Sequence, residues 1–192
     1  MHFTQILLAS LATLQAASAV TIRNFRTGTC KGNYRECTRI QTYSCCAERI
    51  GNVFSSSLIN GMPPTGIGAI CVGKQGKNCG EVKKGGFGSP LCLGSGNSKG
   101  TFWFDCAQTH HCHARRGARS LDVQLHDISP PEKISAPDFV GIDDHRFFTN
   151  ETTPEDIVRG LLELVETDVS YDDIPVEFKK YEAGTHGAEM HE

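Results

Sequence analysis

The stretch QTHHCHARRGARS, residues 108–120, sets His110, His111 and His113 around Cys112 and follows them with Arg115, Arg116 and Arg119. Imidazole and thiolate are donors that zinc or copper accepts. The spacing argues against a metal. Consecutive residues on an extended chain point in different directions, and the separated ligand pairs of a structural site are missing. No cofactor is expected, and His110, His111 and His113, with an unpaired Cys112, are the ligands a metal test should address. Arg115-Arg116 stands in a polar stretch just after the last cysteine, where a chain is most easily nicked.

What that stretch means depends on the compartment. MHFTQILLASLATLQAASA runs from polar residues through ILLASLATL to Ala17-Ser18-Ala19, the small-x-small pattern cut by signal peptidase, so residues 1–19 read as a signal peptide and Val20 as the first mature residue. The apolar run is too short for a bilayer anchor, and no later stretch is long and apolar enough for one. A secreted, extracellular chain without a transmembrane anchor is expected. In that setting the nine cysteines, Cys30, Cys37, Cys45, Cys46, Cys71, Cys79, Cys92, Cys106 and Cys112, read as a disulfide framework. Adjacent Cys45 and Cys46 should bond outward to different partners. The odd number leaves one free thiol or an intermolecular disulfide, and connectivity stays open.

Charge divides the chain at the same place. Val20 to Cys112 holds eleven Lys and Arg against four Asp and Glu, while His113 to Glu192 holds eight against eighteen. A basic half of this kind suits an anionic surface or polymer, whether lipid, polysaccharide or nucleic acid, with Lys74, Lys77, Lys83 and Lys84 as the anion-binding candidates. The acidic half then solvates the protein or folds against the basic surface. Two ordinary solvated faces are the plainer alternative.

The basic half reads as β-rich. VTIRNF alternates, GAICVG is short and apolar, and TFWFDC puts Phe102, Phe104 and Cys106 on one face with Trp103 and Asp105 on the other. The glycine-rich stretch from Gly61 to Gly100 is expected to supply mobile basic loops between short strands. The spacing C-x6-C-x7-CC behind a short leader, followed by glycine-rich loops, resembles small secreted cysteine-rich proteins of filamentous fungi, a group that includes effector and toxin-like proteins. That resemblance implies extracellular action on another organism or a wall. FRTGTCKG, Phe25 to Gly32, is similar to the opening of a βγ-crystallin unit, with Cys30 in an aromatic place. GNVFSS resembles that family's calcium motif at Asn52, Ser55 and Ser56 and departs from it at Gly51. One Greek-key-like half is implied, and no second unit is evident. Arg115-Arg116 resembles the substrate of a kexin-type processing protease.

Beyond the junction, residues 113–119, LDVQLHDI alternates cleanly and reads as a strand with Leu121, Val123 and Leu125 on one face. SPPEKISAP should break it. TTPEDIVRGLLELVETD reads as an amphipathic helix capped by Thr153, with Pro154 in the first turn and Glu155 and Asp156 at its positive end. Asn150-Glu151-Thr152 is a glycosylation acceptor. The expected organisation is an α+β chain. A small disulfide-rich, β-dominated domain at 20–112 precedes an acidic segment at 120–181 with one strand and one amphipathic helix, and a disordered tail at 182–192.

No catalytic constellation stands out. GNSKG, Gly96 to Gly100, fits Gly-x-Ser-x-Gly in letters but lacks the strand-to-helix setting of a nucleophile elbow, and there is no phosphate-binding loop. The expected function is a non-catalytic, secreted, disulfide-stabilised effector or toxin-like binding protein. A secreted nuclease-type hydrolase built from His110, His111 and Glu36 or Glu48 is the enzymatic alternative, and a structural or wall-associated cysteine-rich protein is the third.

Overall fold

The computed structural model of the chain describes residues 19–47, 53–108 and 128–185. Among them run strands β1 (Val20–Phe25), β2 (Tyr34–Ile40), β3 (Ser44–Cys46), β4 (Phe54–Asn60), β5 (Gly66–Lys74), β6 (Lys77–Phe87), β7 (Leu91–Ser98) and β8 (Gly100–Asp105). The acidic half adds β9 (Lys133–Ser135), β10 (Phe139–Ile142), β11 (His145–Phe148) and β12 (Glu182–Thr185), with helices α1 (Glu155–Glu166) and α2 (Val176–Lys179). The fold is β-dominated with a small helical part, as expected.

The strands form two sheets, one in the order β12-β11-β10-β2-β1-β4-β7 and one in the order β6-β5-β8-β3-β9. Strands β1–β4 and β5–β8 make two units of the same connectivity. In each the fourth strand returns to lie beside the first, as in a Greek key, and the third crosses to the other sheet. The single Greek-key-like half expected from sequence is thus one of a pair. A reason for the exchange lies in burial. Val20, Ile22, Ile40, Ile59, Ile70 and Trp103 close a core between the sheets, and Trp103 Nε1 donates to the Ile40 carbonyl at 2.8 Å. Ile67, Ala69, Cys71, Phe102 and Phe104 are buried on the opposite face of the five-stranded sheet, with Ile128 among them. A sheet covered on both faces needs continuous apolar strands, which is why GAICVG does not alternate.

The glycine-rich stretch is a correction. It holds the three longest strands, β5, β6 and β7, rather than loops. Gly100 shows the physical reason: a Cβ there would stand 2.4 Å from Cys79 Sγ and 2.6 Å from Cys45 Sγ. The Cys45–Cys79 disulfide therefore lies against β8 where the backbone is bare. Cys37–Cys46 closes the first unit, and Cys30–Cys92 ties it to the second. The adjacent pair bonds outward to two partners, as its position demanded. Cys106 is also disulfide-bonded, and Cys112 lies outside the described residues. The odd thiol is Cys71, fully buried, with no surface through which to bridge another chain.

The acidic half is woven into both sheets. β10 pairs with β2 and is extended by β11 and β12, while β9 runs parallel to β3. β9 lies within SPPEKISAP, which sequence read only as a break. α1 covers β10 and β11 through Val140, Ile142, Phe147, Leu161 and Val165. It begins at Glu155 with Pro154 at the cap position, and Thr153 Oγ1 donates to the Phe148 carbonyl at 3.1 Å instead of capping. Glu182–Thr185, expected in a disordered tail, is the edge strand β12. The leader through Ser18, the expected strand Leu121–Leu125 and residues 186–192 lie outside the described residues.

Candidate anion-binding surfaces

The four lysines singled out from sequence share one hairpin, β5–β6, at the edge of the five-stranded sheet, and all four are exposed. They are not equivalent. Lys74 Nζ donates to Glu81 Oε2 at 2.8 Å, and Lys77 Nζ lies 3.5 Å from Glu132 Oε1, a carboxylate of the acidic half. Lys84 Nζ reaches the Gly94 carbonyl at 3.4 Å. Lys83 falls outside the ladder: pairing jumps from Ile70↔Lys84 to Cys71↔Val82, so Lys83 occupies a bulge. Lys83 and Lys84 are therefore the pair whose charge no carboxylate among the described residues offsets.

A second cationic surface, not anticipated from sequence, lies on the outer face of the seven-stranded sheet. Alternation turns Val20 and Ile22 inward and Thr21 and Arg23 outward, and register places Arg23 opposite Glu36. Glu36 is 1% exposed. Arg23 Nε donates to its Oε2 at 2.5 Å, and Arg146 Nη2 of β11 donates to Oε1. Burial of a carboxylate is compensated here by two guanidiniums, the arrangement such a group requires. Arg23 lies over the Tyr34 ring at 4.9 Å and Arg146 over the Phe139 ring at 4.1 Å, so aromatic faces fix both. Beside them opens a cleft of about 380 Å³, lined by Ala19, Thr21, Thr38, Arg39, Asn60 and these charged groups.

Other ion pairs hold the acidic half in place. Glu166 at the end of α1 accepts from Arg26 and from buried Arg35, and Thr38 donates through its backbone N and its Oγ1 to Asp138. At the far edge Glu182 accepts from His145 Nδ1 at 2.7 Å and from the Tyr171 hydroxyl at 2.9 Å, with the His145 and Tyr171 rings stacked at 3.4 Å. The bond to His145 holds the Glu182 carboxyl below its ordinary range, and the bond to Glu182 holds the Tyr171 hydroxyl above its own.

Glu36, offered from sequence as a nuclease base, has both oxygens taken by guanidiniums and no open face toward solvent. His110, His111, His113, Glu48, Arg115 and Arg116 lie outside the described residues. Among the described residues no three His, Cys, Asp or Glu side chains gather as a metal set. Asn150 precedes α1 and its Oδ1 accepts from the Thr152 N and Oγ1 at 3.1 and 2.6 Å. Arg23 could have been found from the alternation of VTIRNF. Arg146 could not without the hairpin FVGI-DD-HRFF, whose Asp143 turns at φ +52° and was not read as a turn.

The sequence model of one protein family, described as ARB_05566_N, N-terminal domain, matches residues 21–138. The match runs past the expected junction and through β9, ending where β10 begins. No curated protein and no solved structure matches the chain.

Proposed function

The chain belongs to that family, which is of fungal type, and on that premise we propose that it is a secreted, non-catalytic effector or toxin-like binding protein that meets an anionic surface or polymer. The observation that carries this reading is the edge hairpin β5–β6, which carries Lys74 and Lys77 at its tip and Lys83 and Lys84 farther along, on one disulfide-tied element. Cations gathered on a fixed strand edge attract a polyanion without reading its sequence. Secretion is part of the proposal, supported by the leader and by the disulfide framework, which suits an oxidising compartment. Asn150, whose Thr152 hydroxyl already meets its side-chain oxygen, is the proposed glycan attachment site, and a mass shift on enzymatic deglycosylation of the secreted protein is the expected result.

The test is retention on a heparin column and on vesicles rich in anionic lipid, as a function of salt. Binding is expected to fall steeply as salt rises, and replacing Lys74, Lys77, Lys83 and Lys84 together removes most of it. Replacing only Lys83 and Lys84 should cost more than replacing only Lys74 and Lys77. Salt-insensitive binding, or none, overturns the reading.

The twin units also support a crystallin-like sandwich as the evolutionary source of the fold. Ser56, from the stretch GNVFSS, accepts from the Cys30 N at 2.9 Å and donates to the Thr27 carbonyl at 2.6 Å, so it pins down the loop formed by FRTGTCKG. Ser56→Ala should loosen that loop and raise amide exchange at residues 27–32, whereas Ser55→Ala should not.

A further inference from the structure

We propose that the cleft beside Glu36 is a binding site for a small ligand carrying a phosphate-type oxyanion, distinct from the lysine hairpin. Pairing with Glu36 explains why Arg23 and Arg146 stand on this face, because together they staple β11 to the centre of the sheet. It does not explain Arg39. That side chain is exposed, lines the same cleft, and makes no hydrogen bond or ion pair among the described residues. It is also held at φ +51°, in the left-handed region that an arginine enters only under constraint. The constraint is a bulge: β1 and β2 pair as Val20↔Ile40 and then Ile22↔Cys37, so Thr21 faces the extra residue of β2. A bulge re-aims the side chain it carries, and such devices concentrate where a sheet binds something. Here it adds a third guanidinium to a cleft that already holds two.

Three guanidiniums from three elements, β1, the β2 bulge and β11, line the cleft with one buried carboxylate, Glu36. Asp138, bound to Thr38, stands near these groups without lining the cleft. Guanidiniums arriving from several directions suit a group with three or more outward oxygens better than a flat carboxylate with two. Thr21 and Thr38 hydroxyls and the Asn60 amide supply neutral partners on the walls, and about 380 Å³ gives room for a phosphate with a small polar body.

The experiment is a titration of the full chain with inorganic phosphate, followed by backbone amide shifts, at fixed ionic strength set with chloride and with acetate in parallel. Saturable shifts are expected at Thr21, Arg23, Thr38, Arg39 and Asn60, with phosphate binding more tightly than acetate. Arg39→Ala, which removes no hydrogen bond or ion pair among the described residues, should weaken phosphate by roughly tenfold, as loss of one charged hydrogen bond does, and Arg39→Lys should restore part of it. Replacing the four hairpin lysines should leave the titration unchanged, so the site stands even if the polyanion reading fails. Absence of saturation, equal affinity in Arg39→Ala, or loss of phosphate binding in the lysine variant each overturns the assignment.

Discussion

Cys71 is the residue whose chemistry the fold suppresses. Burial pushes its thiol up to about 12, and only the thiolate reacts. Alkylation of the native chain near pH 8 without reductant should therefore leave all cysteines unlabelled among the described residues. After denaturation Cys71 should take up one label; rapid labelling of the native chain would show it is reachable. The existence of a spare thiol follows from an odd count in a disulfide framework, but its identity does not, because pairing depends on which strands the two units exchange. Arg39 was illegible for a similar reason. A left-handed residue in a bulge is a property of two strands in register, and the local string TRIQ carries no glycine to announce it. The strain has a measurable side: Arg39→Gly should raise stability in chemical denaturation by about 1 kcal/mol, the usual relief at a left-handed position, while weakening phosphate binding as Arg39→Ala does.

At the scale of elements, helix α1 was readable because its apolar residues recur with helical spacing, and β1 and β8 because theirs alternate. The glycine-bearing strands β6 and β7 were not, since glycine signals a turn and a close approach in the same letter. Gly160 makes the difference testable. Propensity alone would have alanine stabilise α1 by about 1 kcal/mol. Yet a Cβ at that position would lie 2.5 Å from Phe178 Cζ, where α2 leans on the helix. Gly160→Ala should therefore lower the melting temperature, and pairing it with Phe178→Ala should reverse the sign of its effect. The edge strand β12 has a pH dependence of its own. Glu182 is held below its ordinary value of 4.5, first by the hydrogen bond from His145, so its contribution is complete above about that value. It is lost as pH falls through the lower folded value. Amide exchange in Glu182–Thr185 should accelerate on acidification before the rest of the sheet responds, and Glu182→Gln should abolish that step.

For the whole molecule, the charge division between the halves was visible in the sequence, and it materialises as the pairs Arg35–Glu166, Arg26–Glu166 and Lys77–Glu132, while Arg146–Glu36 joins the halves with the charges reversed. What composition could not show is that the acidic half also supplies strands to both sheets, since FVGI and HRFF are too short to stand out without their partner β2. All nine cysteines precede Arg115, so no disulfide within the chain can span a cut at Arg115-Arg116. A chain cleaved there should run as one species in gel filtration and as two bands on a denaturing, non-reducing gel, because β2–β10 and β3–β9 pairing do not require the peptide bond between them. Co-elution lost at physiological salt would show that the ion pairs, and not the ladders, hold the halves together.

The placement of β9 and β10 has another consequence. Without them β2 and β3 would each be the last strand of its sheet, with a row of unanswered N–H and C=O groups and, on β2, buried Arg35 and Glu36 deprived of Glu166 and Arg146. Bare edges of this sort recruit one another between molecules. A fragment ending at Arg116 should accordingly form soluble oligomers or fibres that bind an amyloid dye, and a fragment ending at Asp138, which restores β9 but not β10, should do so more slowly. The last third of the chain then serves as a permanent guard against self-association, built from two pairings of only three residues each.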